Sequence, residues 1–126
     1  MAGISGTAAD GVDSIVISGG YEDDRDEGAV VIYTGHGGND PATGKQIADQ
    51  ELHRGNAGLA KNCDESLPVR VIRGAKLRSP YSPKYGYRYD GLYYVEKYWQ
   101  EKGRSGYQVW RFRLVREDKY TGRSRK

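Results

Sequence analysis

The chain has 126 residues and a formal net charge of +3, with 29% of residues charged and 37% hydrophobic. That allows one domain with a modest core. No apolar run approaches the ~20 residues of a membrane span and no signal-peptide pattern opens the chain, so an intracellular setting away from membranes is expected. Cys63 is the only cysteine, which excludes an internal disulfide and a cysteine-based zinc site.

Residues 13–18 alternate and are rich in β-branched side chains, which predicts a strand. Residues 29–34 predict another, punctuated by Gly28 and Gly35. Between them, residues 21–27 read as a turn with five acidic side chains, too polar for a core. Residues 36–44 have the glycine, asparagine and proline content of an exposed loop. Residues 45–62 are the most helix-like, but Gly55 and Gly58 limit the expectation to short helical turns. Residues 68–75 predict a strand with Val69 and Val71 on one face and Arg70 on the other. An aromatic strand over 87–99, broken at Asp90-Gly91, a turn over 102–106 and a strand over 107–115 complete a hairpin. Trp110, Phe112 and Leu114 share one face of that last strand. The predicted domain is 1–118, and residues 119–126 are basic and expected to fray as a tail.

Charge is divided along the chain. Residues 1–66 carry 4 Lys/Arg against 12 Asp/Glu, and residues 67–126 carry 16 against 5. A polyanion is drawn to the second half, because each cation placed on a phosphate releases condensed counterions. A solvated basic surface is the plainer reading of the same residues. Candidate phosphate contacts are Arg70, Arg73, Lys76, Arg78, Lys84 and Arg88.

The residues offer little for catalysis. Glu22, Asp23, Asp24, Asp26 and Glu27 lack the alternating ligands and central glycine of a calcium loop, so no metal site is predicted. His36 and His53 are the only histidines and match neither a zinc-protease nor a His-Asn-His nuclease pattern. No phosphate loop or dinucleotide fingerprint occurs. The chain reads as non-catalytic, with no cofactor.

Binding is better supported. Residues 17–38 place a glycine pair, Tyr21 and Asp24 after one strand, and Tyr33 and Thr34 at the end of the next. Two rings flanking a carboxylate and bare backbone amides suit a flat base bearing an amino group. Asp24 fits the N4 amino group of cytosine, and the N–H groups around Gly19 and Gly20 fit O2 and N3. Tyr21 and Tyr33 would stack on the ring at ~1–3 kcal/mol per contact. Each residue also has a structural alternative: Tyr33 as a strand aromatic, Gly19-Gly20 as a tight turn, Asp24 as a solvated turn residue.

Several separate motifs agree in order. Ser18-Gly19-Gly20-Tyr21-Glu22-Asp23-Asp24 is followed by Tyr33-Thr34-Gly35 with Gly37-Gly38, Asn62-Cys63 and Pro68-Val69-Arg70-Val71-Ile72-Arg73. Tyr87-Arg88-Tyr89-Asp90-Gly91 and Val109-Trp110-Arg111-Phe112 complete the series. Over residues 2–117 the chain resembles the SRA (SET- and RING-associated, or YDG) domain. The resemblance implies a mainly β, α+β fold: a strongly twisted, barrel-like sheet with a few short helices. It implies binding of double-stranded DNA, with 5-methylcytosine or 5-hydroxymethylcytosine flipped into a pocket. By motif, Tyr21 and Tyr33 resemble the stacking pair, Asp24 the N4 acceptor, Ser18, Gly19 and Gly20 the backbone donors, and Thr34 the residue near the 5-substituent. Tyr89-Asp90-Gly91 is expected to hold the fold, with Asp90 satisfying turn amides.

Two departures from the family are visible. The family's N-terminal strand is missing, which would expose a sheet edge and favour self-association. The Asn-Lys-Arg finger of the animal hemimethylation readers is replaced by a shorter loop, Thr43-Gly44-Lys45-Gln46, in which Lys45 or Gln46 would probe the vacated base position. Bacterial and plant members are the nearer comparison. The expected role is a DNA module reading 5-modified cytosine, fused or bound to a nuclease or chromatin-modifying domain. It would act at the nucleoid if bacterial and in the nucleus if eukaryotic. The alternatives are the recognition part of a modification-dependent restriction endonuclease whose His-Asn-His nuclease lies elsewhere, and a non-specific basic β-domain.

Overall fold

The computed structural model describes residues 3–17, 24–75 and 79–121. Seven strands and one helix run in the order β1 (Ile4–Thr7), β2 (Gly11–Ile17), β3 (Arg25–Asp26), β4 (Val30–Thr34), α1 (Gly55–Glu65), β5 (Val69–Gly74), β6 (Tyr87–Lys102) and β7 (Gln108–Arg116). They form one mixed sheet ordered β1-β2-β5-β6-β7-β4-β3, with β2 and β5 parallel and every other pair antiparallel. The mainly β, curled architecture expected from the sequence is present, although the ladder does not close into a barrel.

Side chains close it instead. Asp26 on β3, at one end of the sheet order, accepts two hydrogen bonds from Arg73 on β5, at 2.8 and 2.7 Å. Ser79 Oγ donates to the same carboxylate at 2.9 Å. Arg73 also donates to Asp90 on β6 at 2.8 Å and to the Gly28 carbonyl at 3.0 Å. Asp26, within the stretch expected to be only a polar turn, is therefore a buried carboxylate that latches the curled sheet. Asp90 does not satisfy turn amides, as its motif implied, but bridges Arg73 and Arg88. Gly91 sits at a register shift that the ladder absorbs, so β6 runs unbroken for 16 residues.

The core lies between the inner face of the sheet and α1. Ile15, Ile17, Val31, Leu59, Val71, Val95, Phe112 and Leu114 are fully buried there. The helix is longer than short turns, and its glycines explain why. A Cβ on Gly58 would stand 2.8 Å from the Thr7 carbonyl oxygen, and one on Gly55 2.9 Å from Ile4. Close docking on β1 and β2 offsets the helix propensity lost at each glycine, about 1 kcal/mol. Asn62 then ties helix to strand, accepting from Val12 N–H at 2.6 Å and donating to the Val12 carbonyl at 2.9 Å. Tyr120 stacks on Tyr94, with centroids 4.8 Å apart, and residues 122–126 of the expected tail lie outside the described residues.

Candidate nucleic-acid interface

Strand β4 positions the centre of the candidate site. Its residues alternate between the two faces of the sheet, so Tyr33 faces the core with Phe112, its ladder partner, while Thr34 and its partner Arg111, both also buried, lie on the opposite face. The backbone N–H of Thr34 donates to Asp24 Oδ1 at 2.7 Å. That bond aims the carboxylate across the end of β4, beside Tyr33. Thr34 thus meets Asp24 through its main chain, and its fully buried hydroxyl lies on the other face of the sheet.

Tyr33 is 2% exposed and belongs to the core cluster. Its hydroxyl donates to the Gly3 carbonyl at 3.3 Å and lies 3.4 Å from His36 Nε2. The ring is held in place rather than displayed in an open slot. Burial pushes the His36 imidazole below its ordinary pKa. Ser18, Gly19, Gly20 and Tyr21 lie outside the described residues, as do Lys76 and Arg78.

Two amides that sequence reasoning did not single out fix the strand end. Gln50, which is buried, donates to the Gly35 carbonyl at 2.7 Å and accepts from Trp110 N–H at 2.9 Å. Asn56, in the first turn of α1, accepts from His36 N–H and donates to the His36 carbonyl, both at 2.8 Å. A Cβ on Gly35 would stand 2.5 Å from Asn56 Oδ1, so this approach requires glycine. Nothing in local spacing marks such residues, because each acts across 15 or more positions of chain.

The loop after β4 is a compact turn. Asn39 and Gln46 form a bridge, and Asp40 N–H donates to the Lys45 carbonyl at 2.8 Å. Asp40 Oδ1 accepts from Ala42 N–H at 2.9 Å. Lys45 is exposed. Gln46 is committed inward: its amide nitrogen donates to the Ala48 carbonyl at 3.1 Å, and its oxygen accepts from Ser105 Oγ at 2.8 Å. Of the two expected probing residues, only Lys45 points its functional group outward.

The expected phosphate contacts separate. Arg70 and Lys84 are exposed. Arg88 is half-exposed and chelates Asp90 at 2.7 and 3.2 Å. Arg73 does not belong with them: its side chain is 3% exposed and spent on Asp26 and Asp90. Burial lowers the pKa of the Arg73 guanidinium, but the hydrogen bonds it donates to both carboxylates outweigh this and hold it well above its ordinary value. Burial likewise raises Asp26 and Asp90, and the guanidinium hydrogen bonds outweigh it, leaving both below the usual carboxylate range.

Comparison with known proteins adds to this geometry. The SAD/SRA domain family matches residues 1–120. E3 ubiquitin-protein ligase UHRF1 of Danio rerio is 46% identical over 139 residues, a match covering 94% of this chain and 18% of that protein. Among solved structures, the modification-dependent TagI restriction endonuclease superposes with a TM-score of 0.89 at 57% identity, covering 92% of this chain and 42% of that one. The SRA domain of SUVH5 in complex with fully methylated CG DNA gives a TM-score of 0.73 at 43% identity, covering 92% of this chain and 74% of that one. The same domain has also been solved with methylated CHH DNA and with fully hydroxymethylated CG DNA. The chain thus spans less than a fifth of UHRF1 and under half of the endonuclease chain.

Proposed function

The chain belongs to the SAD/SRA domain family, and from that membership we propose that it reads 5-modified cytosine in double-stranded DNA by taking the base out of the stack. The observation that carries this reading is the Asp24 carboxylate, pinned by Thr34 N–H at 2.7 Å beside the ring of Tyr33. An ionised carboxylate accepts only, so it favours the N4 amino group of cytosine over the O4 carbonyl of thymine. Tyr21 and Tyr33 stack on the flipped ring, the backbone of Ser18, Gly19 and Gly20 meets its O2 and N3 edge, and the Thr34 main chain completes the rim. Because Tyr33 is enclosed, entry of the base includes opening of the chain around it, a cost added to the few kcal/mol of unstacking. The domain supplies recognition and no bond-breaking step. The likeness to SUVH5 complexes with methylated and hydroxymethylated DNA supports this reading.

A second reading, that the chain is the recognition part of a modification-dependent restriction endonuclease, is favoured by the 0.89 TM-score and 57% identity to the TagI enzyme. The two agree on what this domain does and differ in what it is joined to.

Titration against duplexes of one sequence carrying cytosine, 5-methylcytosine or 5-hydroxymethylcytosine tests the proposal. Tighter binding of the modified duplexes is expected, with a rise in fluorescence from 2-aminopurine placed beside the target. Equal affinity for all three overturns it. Since Gln46 is tied inward and only Lys45 reaches out, hemimethylated and fully methylated CG sites are expected to bind within a few-fold of each other. A tenfold preference, about 1.4 kcal/mol, would assign Lys45 a finger's role.

A further inference from the structure

The outer face of β5 and β6 carries an aromatic patch that the base pocket does not use. Tyr87 and Tyr89 alternate with Arg88 along β6, so the two rings share one face of the sheet. Their ladder partners are Gly74 and Ile72, whereas Arg88 pairs with the buried Arg73 on the inner face. Tyr87 and Tyr89 are each 56% exposed, and Tyr85, just before the strand, is 85% exposed. Gly74 has no side chain to cover Tyr87, and Ile72 flanks Tyr89 with apolar surface.

Other tyrosines of the chain are committed. Tyr33 and Tyr93 belong to the core, Tyr98 donates to Asp64, and Tyr94, farther along the same face of β6, stacks on Tyr120. Tyr85, Tyr87 and Tyr89 have no side-chain hydrogen bond, ion pair or ring contact among the described residues. The charge around them is one-sided. Residues 66–89 hold six cations and no acidic residue. Arg73 and Arg88 are consumed by Asp26 and Asp90. Arg70, two residues before Ile72, and Lys84, next to Tyr85, are exposed and form no ion pair. Asp10 and Asp13 stand beside Arg70, which leaves Lys84 as the more available cation of the two.

These features select a ligand. Side chains two apart on a strand stand about 7 Å from each other, far enough for each ring to stack on its own base of an extended strand. Bases inside a duplex keep both faces on their neighbours, so rings displayed on an open sheet face serve unpaired bases. Cations beside the rings supply the sequence-independent attraction to the backbone. We propose that the outer face of β5 and β6 binds single-stranded nucleic acid, with unpaired bases stacked on Tyr87 and Tyr89 and Lys84 beside the backbone. The Tyr33 ring lies on the opposite face of the sheet. The strand site therefore goes beyond the modified-cytosine reading and does not depend on it.

A double variant, Tyr87→Ala with Tyr89→Ala, and the matching double Tyr→Phe variant test it, with folding checked by thermal melting. Labelled single strands of mixed sequence and about ten nucleotides, one RNA and one DNA, are titrated by fluorescence anisotropy. The unaltered protein is expected to bind at least one of them, and the alanine variant to bind it about fivefold more weakly or worse. The phenylalanine variant keeps both rings and is expected to stay within about twofold of the parent. Whichever strand binds more tightly identifies the source, and either supports the site. Photocrosslinking of an iodouridine strand, mapped by mass spectrometry, needs no substitution: adducts on Tyr85, Tyr87 or Tyr89 are expected. No binding of either strand, equal binding by parent and alanine variant, or adducts confined to other residues overturns the proposal. So does self-association that the alanine variant abolishes while no strand binds, which would make the patch a protein contact. The base reading is judged separately, by preference for modified over plain duplex in the unaltered protein. Its failure leaves the strand site standing if the alanine variant still loses the single strand, and the converse result sinks the strand site alone.

Discussion

In the proposed reading Asp24 selects the amino group of the base, and the bond from Thr34 N–H at 2.7 Å fixes that carboxylate in advance. Removing it leaves the N4 donor unpaired in a desolvated pocket, at a cost of about 1.5–3 kcal/mol. Asp24→Ala is expected to lose discrimination between modified and plain duplex while keeping weak, salt-sensitive binding. Competition titrations check this, and an undiminished preference would refute the role of Asp24. His36 behaves differently. Burial lowers its folded-state pKa below the ordinary value of about 6.5, so the folded protein favours the neutral ring. Stability from this group is present above the unfolded pKa and is lost as pH falls through the folded one. The melting temperature is therefore expected to fall between pH 7 and 5, and to fall less in His36→Gln. Tyr33 Oη, 3.4 Å away, is one polar group that would feel the added proton. Parallel melting curves for the two proteins across that range would show that His36 contributes no such linkage.

At the scale of elements, the Arg73 cluster is what makes a seven-stranded open sheet behave as a near-barrel. It joins β3 to β5 and β6 through Asp26 and Asp90, and Tyr93 adds a bond to the Gly28 carbonyl at 2.6 Å. Taking one partner from a buried ion pair leaves an uncompensated charge and costs about 3–5 kcal/mol. Arg73→Gln is expected to lower the melting temperature by more than about 10 °C. The depressed carboxylate pKa values add an acid signature with a defined sign. Asp26 and Asp90 titrate lower in the folded state, so their contribution is complete above the unfolded value near 3.9 and is lost as pH falls below it. A variant that melts within a few degrees of the parent would show that the latch holds little. The elements themselves were unevenly legible. β2, β4, β5 and the β6–β7 hairpin follow from alternation and turn residues, because those signals are local. β1 and β3 are short and polar, with no pattern of their own, and exist because β2 and β4 offer them an edge. The helix was understated, because its glycines lower local propensity while permitting the close approach that stabilises it.

For the whole molecule, the sequence shows that charge is divided between two halves, and folding redistributes it. Asp26 from the acidic half is consumed inside, against Arg73 from the basic half. Arg25 from the acidic half joins Arg104 and Arg111 from the basic half around one cavity. Linear charge balance therefore counts Arg73 as surface charge, although its side chain is buried. What the sequence determined by itself is the β-rich class, the inner faces of β4, β5 and β7, the family, and the local motifs that hold Asp24, Tyr33 and Thr34, since all of these rest on periodicity or on residues close in the chain. Tertiary structure alone decided that Arg73 is a latch rather than a phosphate ligand, that Gln46 turns inward, that Thr34 presents its main chain to Asp24, and that three distant arginines meet. The physical reason is common to them. Burial, ion pairing and strand register are properties of the curled sheet, and they join residues tens of positions apart that no local pattern connects.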